Sequence, residues 1–172
     1  LTLSFPKVRR QIEEGLAELV KEEFPQAEAL FGTSTAGIAH AAITAEILGL
    51  PMGYVRGSAK DHGRQNQVEG KLSKGDKVVV VEDLISTGGS VLDCVKVLQE
   101  NGAEVLGIVS IFTYGMQKGK DRLAEAKVVN HSLCDLDALL PVAVEQGYIE
   151  KEEQEKLLRF RDNPSDESWR EA

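Results

Sequence analysis

Glu82 and Asp83 lie side by side just ahead of the run Ser86-Thr87-Gly88-Gly89-Ser90, and the two groups suit different halves of one ligand. Adjacent carboxylates cannot hold a phosphate, but they accept hydrogen bonds from the two hydroxyls of a ribose or help to hold a divalent cation. Small residues running into a helix offer the opposite chemistry. The backbone N–H groups of a helix start are unpaired, point the same way and carry the positive end of the dipole, so a phosphate monoester sits there without a lysine. A phosphate beside a diol describes a ribose 5-phosphate. The same pattern also allows a plain doubly wound turn in which the acids cap the helix and the glycines permit the bend. There is no Gly-Lys-Ser/Thr for a Walker-type loop, and the glycine spacing does not fit a dinucleotide fingerprint.

These residues need a strand before them and a helix after them. Val78 to Val81 are consecutive β-branched apolar residues, entered through Gly75-Asp76, which predicts a strand buried on both faces and ending at Glu82-Asp83. Val91, Leu92, Val95 and Leu98 predict the helix, closed by Gly102. Upstream, Pro6 opens a helix whose stripe is Val8, Ile12, Leu16, Leu19 and Val20, with an acidic, solvated outer face, running to Phe24-Pro25. A short strand at Ala29-Leu30-Phe31 then leads through Gly32-Thr33-Ser34-Thr35-Ala36-Gly37 into a helix from Ile38 to Leu48, ended by Gly49. That loop suits a second phosphate, although a plain βα turn fits the residues equally. Met52 to Val55 is the next strand.

Downstream, the pattern predicts a strand over Glu104–Phe112, a loop over Thr113–Lys120, a short helix over Asp121–Ala126 and an edge strand over Lys127–Asn130. A helix over Asp135–Gln146, interrupted at Pro141, precedes a charged helix over Glu150–Arg159 and a polar tail, residues 163–172, holding Trp169. His40 and His131 are isolated and read as structural. Strands alternating with helices make this an α/β domain with a doubly wound, mostly parallel sheet, its ligands at the carboxyl ends of the strands.

The 172 residues suit a single domain with a real core. Against 28 Asp and Glu stand 20 Lys and Arg, a net charge of −8 that disfavours nucleic acid or an anionic membrane as partner. No apolar run has the length of a membrane span and no signal peptide is visible, so the expected location is cytoplasmic. Cys94 and Cys134, widely spaced and without histidines at metal spacing, read as buried thiols rather than a disulfide or a zinc site.

Between Arg56 and Gly70 the apolar pattern breaks: RGSAKDHGRQNQVEG gathers Arg56, Lys60, His62 and Arg64 in an otherwise acidic chain. Such a stretch is either a solvated surface loop or a functional lid. Two resemblances bear on it. The run VVVVEDLISTGGS resembles the signature of the type I phosphoribosyltransferases, an apolar strand, two acids, a Thr/Gly loop and a helix. Residues 57–70 resemble the mobile lid of the orotate phosphoribosyltransferases, whose arginine, Lys-Asp-His-Gly and Glu-Gly are matched by Arg56, Lys60-Asp61-His62-Gly63 and Glu69-Gly70.

The resemblance implies the type I phosphoribosyltransferase fold and transfer of ribose 5-phosphate from 5-phosphoribosyl 1-diphosphate (PRPP) to orotate, with Mg2+, in pyrimidine synthesis. It implies that Glu82 and Asp83 hold the ribose hydroxyls, that Ser86, Thr87, Gly88, Gly89 and Ser90 wrap the 5′-phosphate, that Leu84 and Ile85 also belong to the PRPP site, and that Ser86 also reaches orotate. Thr33, Ser34, Thr35, Ala36 and Gly37 would receive the pyrophosphate, with Arg56, Lys60 and His62 as its cations. Lys60, His62 and Asp83 would be catalytic, and magnesium would be held mainly by PRPP, with Asp83 reaching it through water. It also implies a homodimer in which Lys60 serves the neighbouring subunit's site. This sequence departs from the pattern at Gly57, where many relatives carry a lysine that Arg64 would replace, and near Tyr114, where no arginine matches one that contacts the base in some relatives. In the family a further segment ahead of the position of Leu1 covers the base, and the resemblance implies that this chain lacks it. A purine-type phosphoribosyltransferase would share the phosphate sites and differ over the base; a PRPP-sensing regulator without turnover would not need the cations of the lid.

Overall fold

The computed structural model describes residues 1–57 and 67–165. Six strands form one sheet in the order β3-β2-β1-β4-β5-β6, from β1 (Ala29–Thr33), β2 (Met52–Val55), β3 (Val68–Glu69), β4 (Lys77–Ile85), β5 (Glu104–Thr113) and β6 (Asn130–Asp135). Every pairing is parallel except that of β3 with β2. The helices are α1 (Pro6–Glu23), α2 (Ala36–Leu48), α3 (Gly89–Glu100), α4 (Gln117–Glu125), α5 (Leu136–Glu145) and α6 (Lys151–Asp162). None of the helices among the described residues is long and apolar enough to cross a membrane.

The run Val78–Val81 is apolar at every position because both faces of β4 are covered. Val79 and Val81, with Leu30 and Val109, pack beneath Leu16 and Val20 of α1 and Ala41 and Ala45 of α2. Val78 and Val80, with Phe31 and Ile108, pack beneath Val91, Val95 and Leu98 of α3. The doubly wound expectation therefore holds. The chain turns one way from β1 to β2 and the other way from β4 to β5, so the switch in direction falls between β1 and β4, where such sheets open a crevice for ligands.

Several boundaries differ from the sequence reading. β4 does not end at Glu82-Asp83 but continues to Ile85, because Leu84 and Ile85 pair with Phe112 and Thr113 of the long neighbour β5. Val68–Glu69, expected within the polar loop, form an antiparallel edge strand on β2. The last strand is Asn130–Asp135 rather than Lys127–Asn130: Lys127 adopts φ 55 and turns the chain, and the polar Asn130 and Ser132 are held by mutual bonds with Ser110 of β5. α4 begins at Gln117 within the expected loop, and α5 keeps Pro141 inside it rather than being interrupted.

The outer face of α1 is solvated as expected, with Glu14, Glu18, Glu22 and Glu23 exposed, but its buried face also holds an acid beside Leu16 and Val20. Glu13 is fully buried, with Oε1 2.7 Å from His40 Nδ1 and Oε2 accepting from the Thr44 hydroxyl at 3.0 Å. His40 is structural, as expected, and its partner ties α1 to α2.

Candidate functional site

Two loops leave the sheet side by side at the switch between β1 and β4. Gly32 and Gly37 allow the first to fold back on itself: a Cβ on Gly32 would lie 2.8 Å from the Gly37 carbonyl oxygen, and one on Gly37 would lie 2.5 Å from both Thr33 Oγ1 and the Val81 carbonyl oxygen. Only bare backbone fits, so the start of α2 is pressed against the ends of β1 and β4. Ser34 Oγ donates to the Val55 carbonyl and fixes the loop to β2; the Ser34–Thr35 peptide is cis. Thr35 caps α2 without a side-chain bond, and Ala36 opens its first turn.

The strand that leads into the second loop, β4, carries the acids. Glu82 is buried and accepts a 2.6 Å hydrogen bond from Thr33 Oγ1 and a 3.0 Å bond from the Asp83 amide. Burial pushes its carboxyl up to about 7; the Thr33 bond opposes that rise and neighbouring Asp83 adds to it on balance of charge. Asp83 is half-buried, while the side chain of Leu84 is 41% exposed. Residues Leu84 to Val91, including Ile85, Ser86, Thr87, Gly88, Gly89 and Ser90, line a cavity of about 270 Å³. Gly88 caps α3 at φ 74 with no side-chain cap and no acid in the first turn, so neither a capping side chain nor a first-turn acid competes with an anion there.

Two further cavities flank this centre. One of about 400 Å³ is lined by Thr33, Ser34, Arg56 and Gly57 with residues of α3; Arg56 is held by a 3.0 Å ion pair to Glu69 of β3. The other, about 360 Å³, opens beside Ile85 and Ser86 and is lined by Thr113, Lys120, Ser132 and Asp135. Thr113 Oγ1 donates to the Ile85 carbonyl at 3.3 Å and accepts from the Gly115 amide at 3.1 Å, which ties the end of β5 to the acidic loop.

The described residues thus bring together the acids, the small-residue loop after them, Thr33 to Gly37, and Arg56. Lys60, His62 and Arg64 lie outside the described residues, as does Trp169. Sequence reasoning missed Lys120 and Arg122, both on α4: Lys120 lines the cavity beside Ser86, and Arg122 bonds the carbonyl of Thr87 at 3.2 Å. No spacing rule marks either, since each reaches the site through a contact distant in sequence. Cys94, read as a buried thiol, is buried, and that burial pushes its pKa up to about 12. Cys134 is only half-buried, and both cysteines are free thiols.

The sequence model of the family described as "Phosphoribosyl transferase domain" matches residues 4–138. The orotate phosphoribosyltransferase of Bacillus cytotoxicus is 59% identical over 169 residues, which make up 98% of this chain and 80% of that protein. Among solved structures, the orotate phosphoribosyltransferase from Aeropyrum pernix is similar with a TM-score of 0.75 at 30% identity, over 86% of this chain and 81% of that one. The UMP synthase of Leishmania donovani gives a TM-score of 0.79 over 92% of this chain and 34% of that one, a likeness of fold at 23% identity.

Proposed function

The chain belongs to the orotate phosphoribosyltransferase family, and from this premise we propose how its residues carry ribose 5-phosphate from PRPP to orotate. Its activity is that of an orotate phosphoribosyltransferase, an enzyme of pyrimidine biosynthesis. In our reading the 5′-phosphate lies in the cradle of Ser86, Thr87, Gly88, Gly89 and Ser90, on the uncapped start of α3. Glu82 and Asp83 accept the ribose hydroxyls. The pyrophosphate lies against Thr33 to Gly37, with Arg56 beside it.

The bond from C1 of the sugar to the pyrophosphate oxygen breaks, and a ring nitrogen of orotate, its proton released to solvent, takes its place. The sugar becomes cationic on the way while negative charge gathers on the leaving group, so catalysis is placement of positive charge against pyrophosphate. Arg56 supplies one such charge, and the motif assigns Lys60 and His62 to the same task. Asp83, next to the reacting sugar, stabilises its developing positive charge.

Magnesium, used with PRPP across the family, neutralises part of the pyrophosphate charge when bound. Among the described residues no three His, Cys, Asp or Glu stand together to cage a metal ion. Two adjacent carboxylates fit a cation whose other ligands come from the substrate, with Asp83 reaching it through water.

Orotate carries a carboxylate that a purine lacks. Ser86 stands between the phosphate cradle and the 360 Å³ cavity, and Lys120 on its wall is a cation suited to that carboxylate. We place the reaction in the cytoplasm and the enzyme in a homodimer. The support for the dimer is the outward side of α2, where Ile38, Ala39, Ile43 and Ile47 are half-buried and Ala42 is exposed, with Glu46 the one charge in the helix, as on a helix that another surface covers.

What carries the functional reading is the junction of Thr33 with Glu82, which joins a second anion loop to the ribose acids. Pyrophosphate release from PRPP, measured with orotate, adenine and hypoxanthine in parallel, tests it. Turnover is expected with orotate alone; turnover with a purine base and none with orotate would sink the reading. The shared site is checked by mixing Lys60→Ala and Asp83→Asn subunits with proven exchange, where recovered activity is expected and silence means each subunit acts alone.

A further inference from the structure

α4 stands behind the phosphate cradle. Its Gly119 is pressed so close to Ser86 that a Cβ there would lie 2.6 Å from the Ser86 carbonyl oxygen, yet neither Gly119 nor Arg122 lines the cradle's cavity. Arg122 Nη1 donates to the Thr87 carbonyl at 3.2 Å, lies 3.5 Å from Thr87 Oγ1, and would stand 3.3 Å from a Cβ on Gly89. Its guanidinium therefore grips the back of the turn whose front faces the ligand.

The electrostatics of this position are one-sided. A cation beside a helix start is disfavoured, because it meets the positive end of the dipole. Asp93 and Glu125 line the same surface groove as Arg122, but among the described residues no carboxylate is within ion-pair distance of the guanidinium. The half-buried guanidinium, with no carboxylate at ion-pair distance among the described residues, gains attraction when a dianion occupies the cradle.

We infer that Arg122 is a positioning residue for the sugar phosphate: it holds the Thr87 carbonyl turned away from the ligand and adds positive charge from behind the Thr87-Gly88-Gly89 turn. With that carbonyl anchored on α4, the N–H groups at the start of α3 face the phosphate and no carbonyl oxygen opposes it. The inference rests on the reading of residues 86–90 as the 5′-phosphate cradle. It assigns to α4, at the Lys120 and Arg122 faces, a grip on both ends of the nucleotide product.

Calorimetry of the magnesium-free protein with ribose 5-phosphate and, separately, with pyrophosphate tests this, alongside KM and kcat for PRPP. Arg122→Gln can keep the bond to the Thr87 carbonyl while losing the charge; Arg122→Met loses both; Arg122→Lys keeps the charge. Ribose 5-phosphate should bind roughly tenfold more weakly to Arg122→Gln, more weakly still to Arg122→Met, and least affected to Arg122→Lys, with KM for PRPP rising more than kcat falls. Pyrophosphate affinity should stay within about twofold. Equal weakening of both ligands, or no weakening of ribose 5-phosphate, overturns the assignment. Gly89→Val is the control on the cradle: it should abolish ribose 5-phosphate binding, and a Gly89→Val protein that binds like the parent would overturn the cradle itself, and the role of Arg122 with it. If Gly89→Val abolishes binding while Arg122→Gln has no effect, the cradle stands and only the role of Arg122 falls.

Discussion

Thr33 Oγ1 donates to Glu82 Oε1 across 2.6 Å, and through that one bond the last residue of β1 partly offsets the effect of burial on the acid of β4. Glu82 is pushed up to about 7 by burial, with the Thr33 bond working against the shift. A ribose hydroxyl is best accepted by the ionised form, so kcat/KM for PRPP should fall on the acid side of about 7. Thr33→Val removes the opposing bond and should move that limb to higher pH, while Glu82→Gln should remove it. A limb that stays in place in both variants would detach it from Glu82.

The same group links pH to stability. Between the ordinary carboxylate range and about 7 the folded protein holds a proton on Glu82 that the unfolded chain has released. Its contribution is therefore present below the unfolded value and is lost as pH rises through the folded one. Without ligand, urea melts of the parent and Glu82→Gln should differ in slope against pH in this window, the parent losing stability relative to the variant as pH rises.

Gly37→Ala should damage folding and pyrophosphate binding together. The new methyl group would meet Thr33 Oγ1 and the Val81 carbonyl at 2.5 Å, and the carbonyl belongs to the central sheet. The start of α2 must lift, at a cost of about 1–3 kcal/mol, and product inhibition by pyrophosphate should weaken. Gly57→Ala, with nothing within 4 Å of the new atom, should be silent in the melt.

Glu13→Ala should destabilise the protein by about 3 kcal/mol, because it empties a fully buried position and leaves His40 and Thr44 without the oxygens they now face. Glu13→Leu with His40→Leu and Thr44→Val, which removes the polar groups together, should recover much of that loss in chemical denaturation. A single variant as stable as the parent would mean that water replaces the carboxylate.

Lys120→Gln should raise KM for orotate several-fold and leave KM for PRPP near the parent's, read by steady-state pyrophosphate release. Equal effects on both substrates would place Lys120 elsewhere than beside the base.

The half of the site that we assign to phosphate and ribose was legible in the sequence because its residues are local: Val78–Val81, the acids and Ser86–Ser90 follow one another along the chain, and so do Gly32–Gly37. The half beyond Ser86 was not. Asn130 and Ser132 look unlike strand residues until Ser110 satisfies them, and Lys120 and Arg122 belong to a helix that begins where polar residues suggested a loop. Glu13 was hidden for the same reason: an acid in an acidic helix reads as solvated until His40 and Thr44 are folded against it.

β4 is stapled on one side by β1 and on the other by β5, as far as Ile85. The acids that we assign to the sugar thus ride on the strand whose amides should be the slowest in the molecule to exchange with deuterium, in the last unit to open. Partial openings begin at the edges of the sheet, β3 on one side and β6 on the other. A protein warmed or destabilised by mutation should therefore loosen the walls around the ligand first, Arg56 beside β3 and the cavity beside β6, while the acids on β4 are still in place.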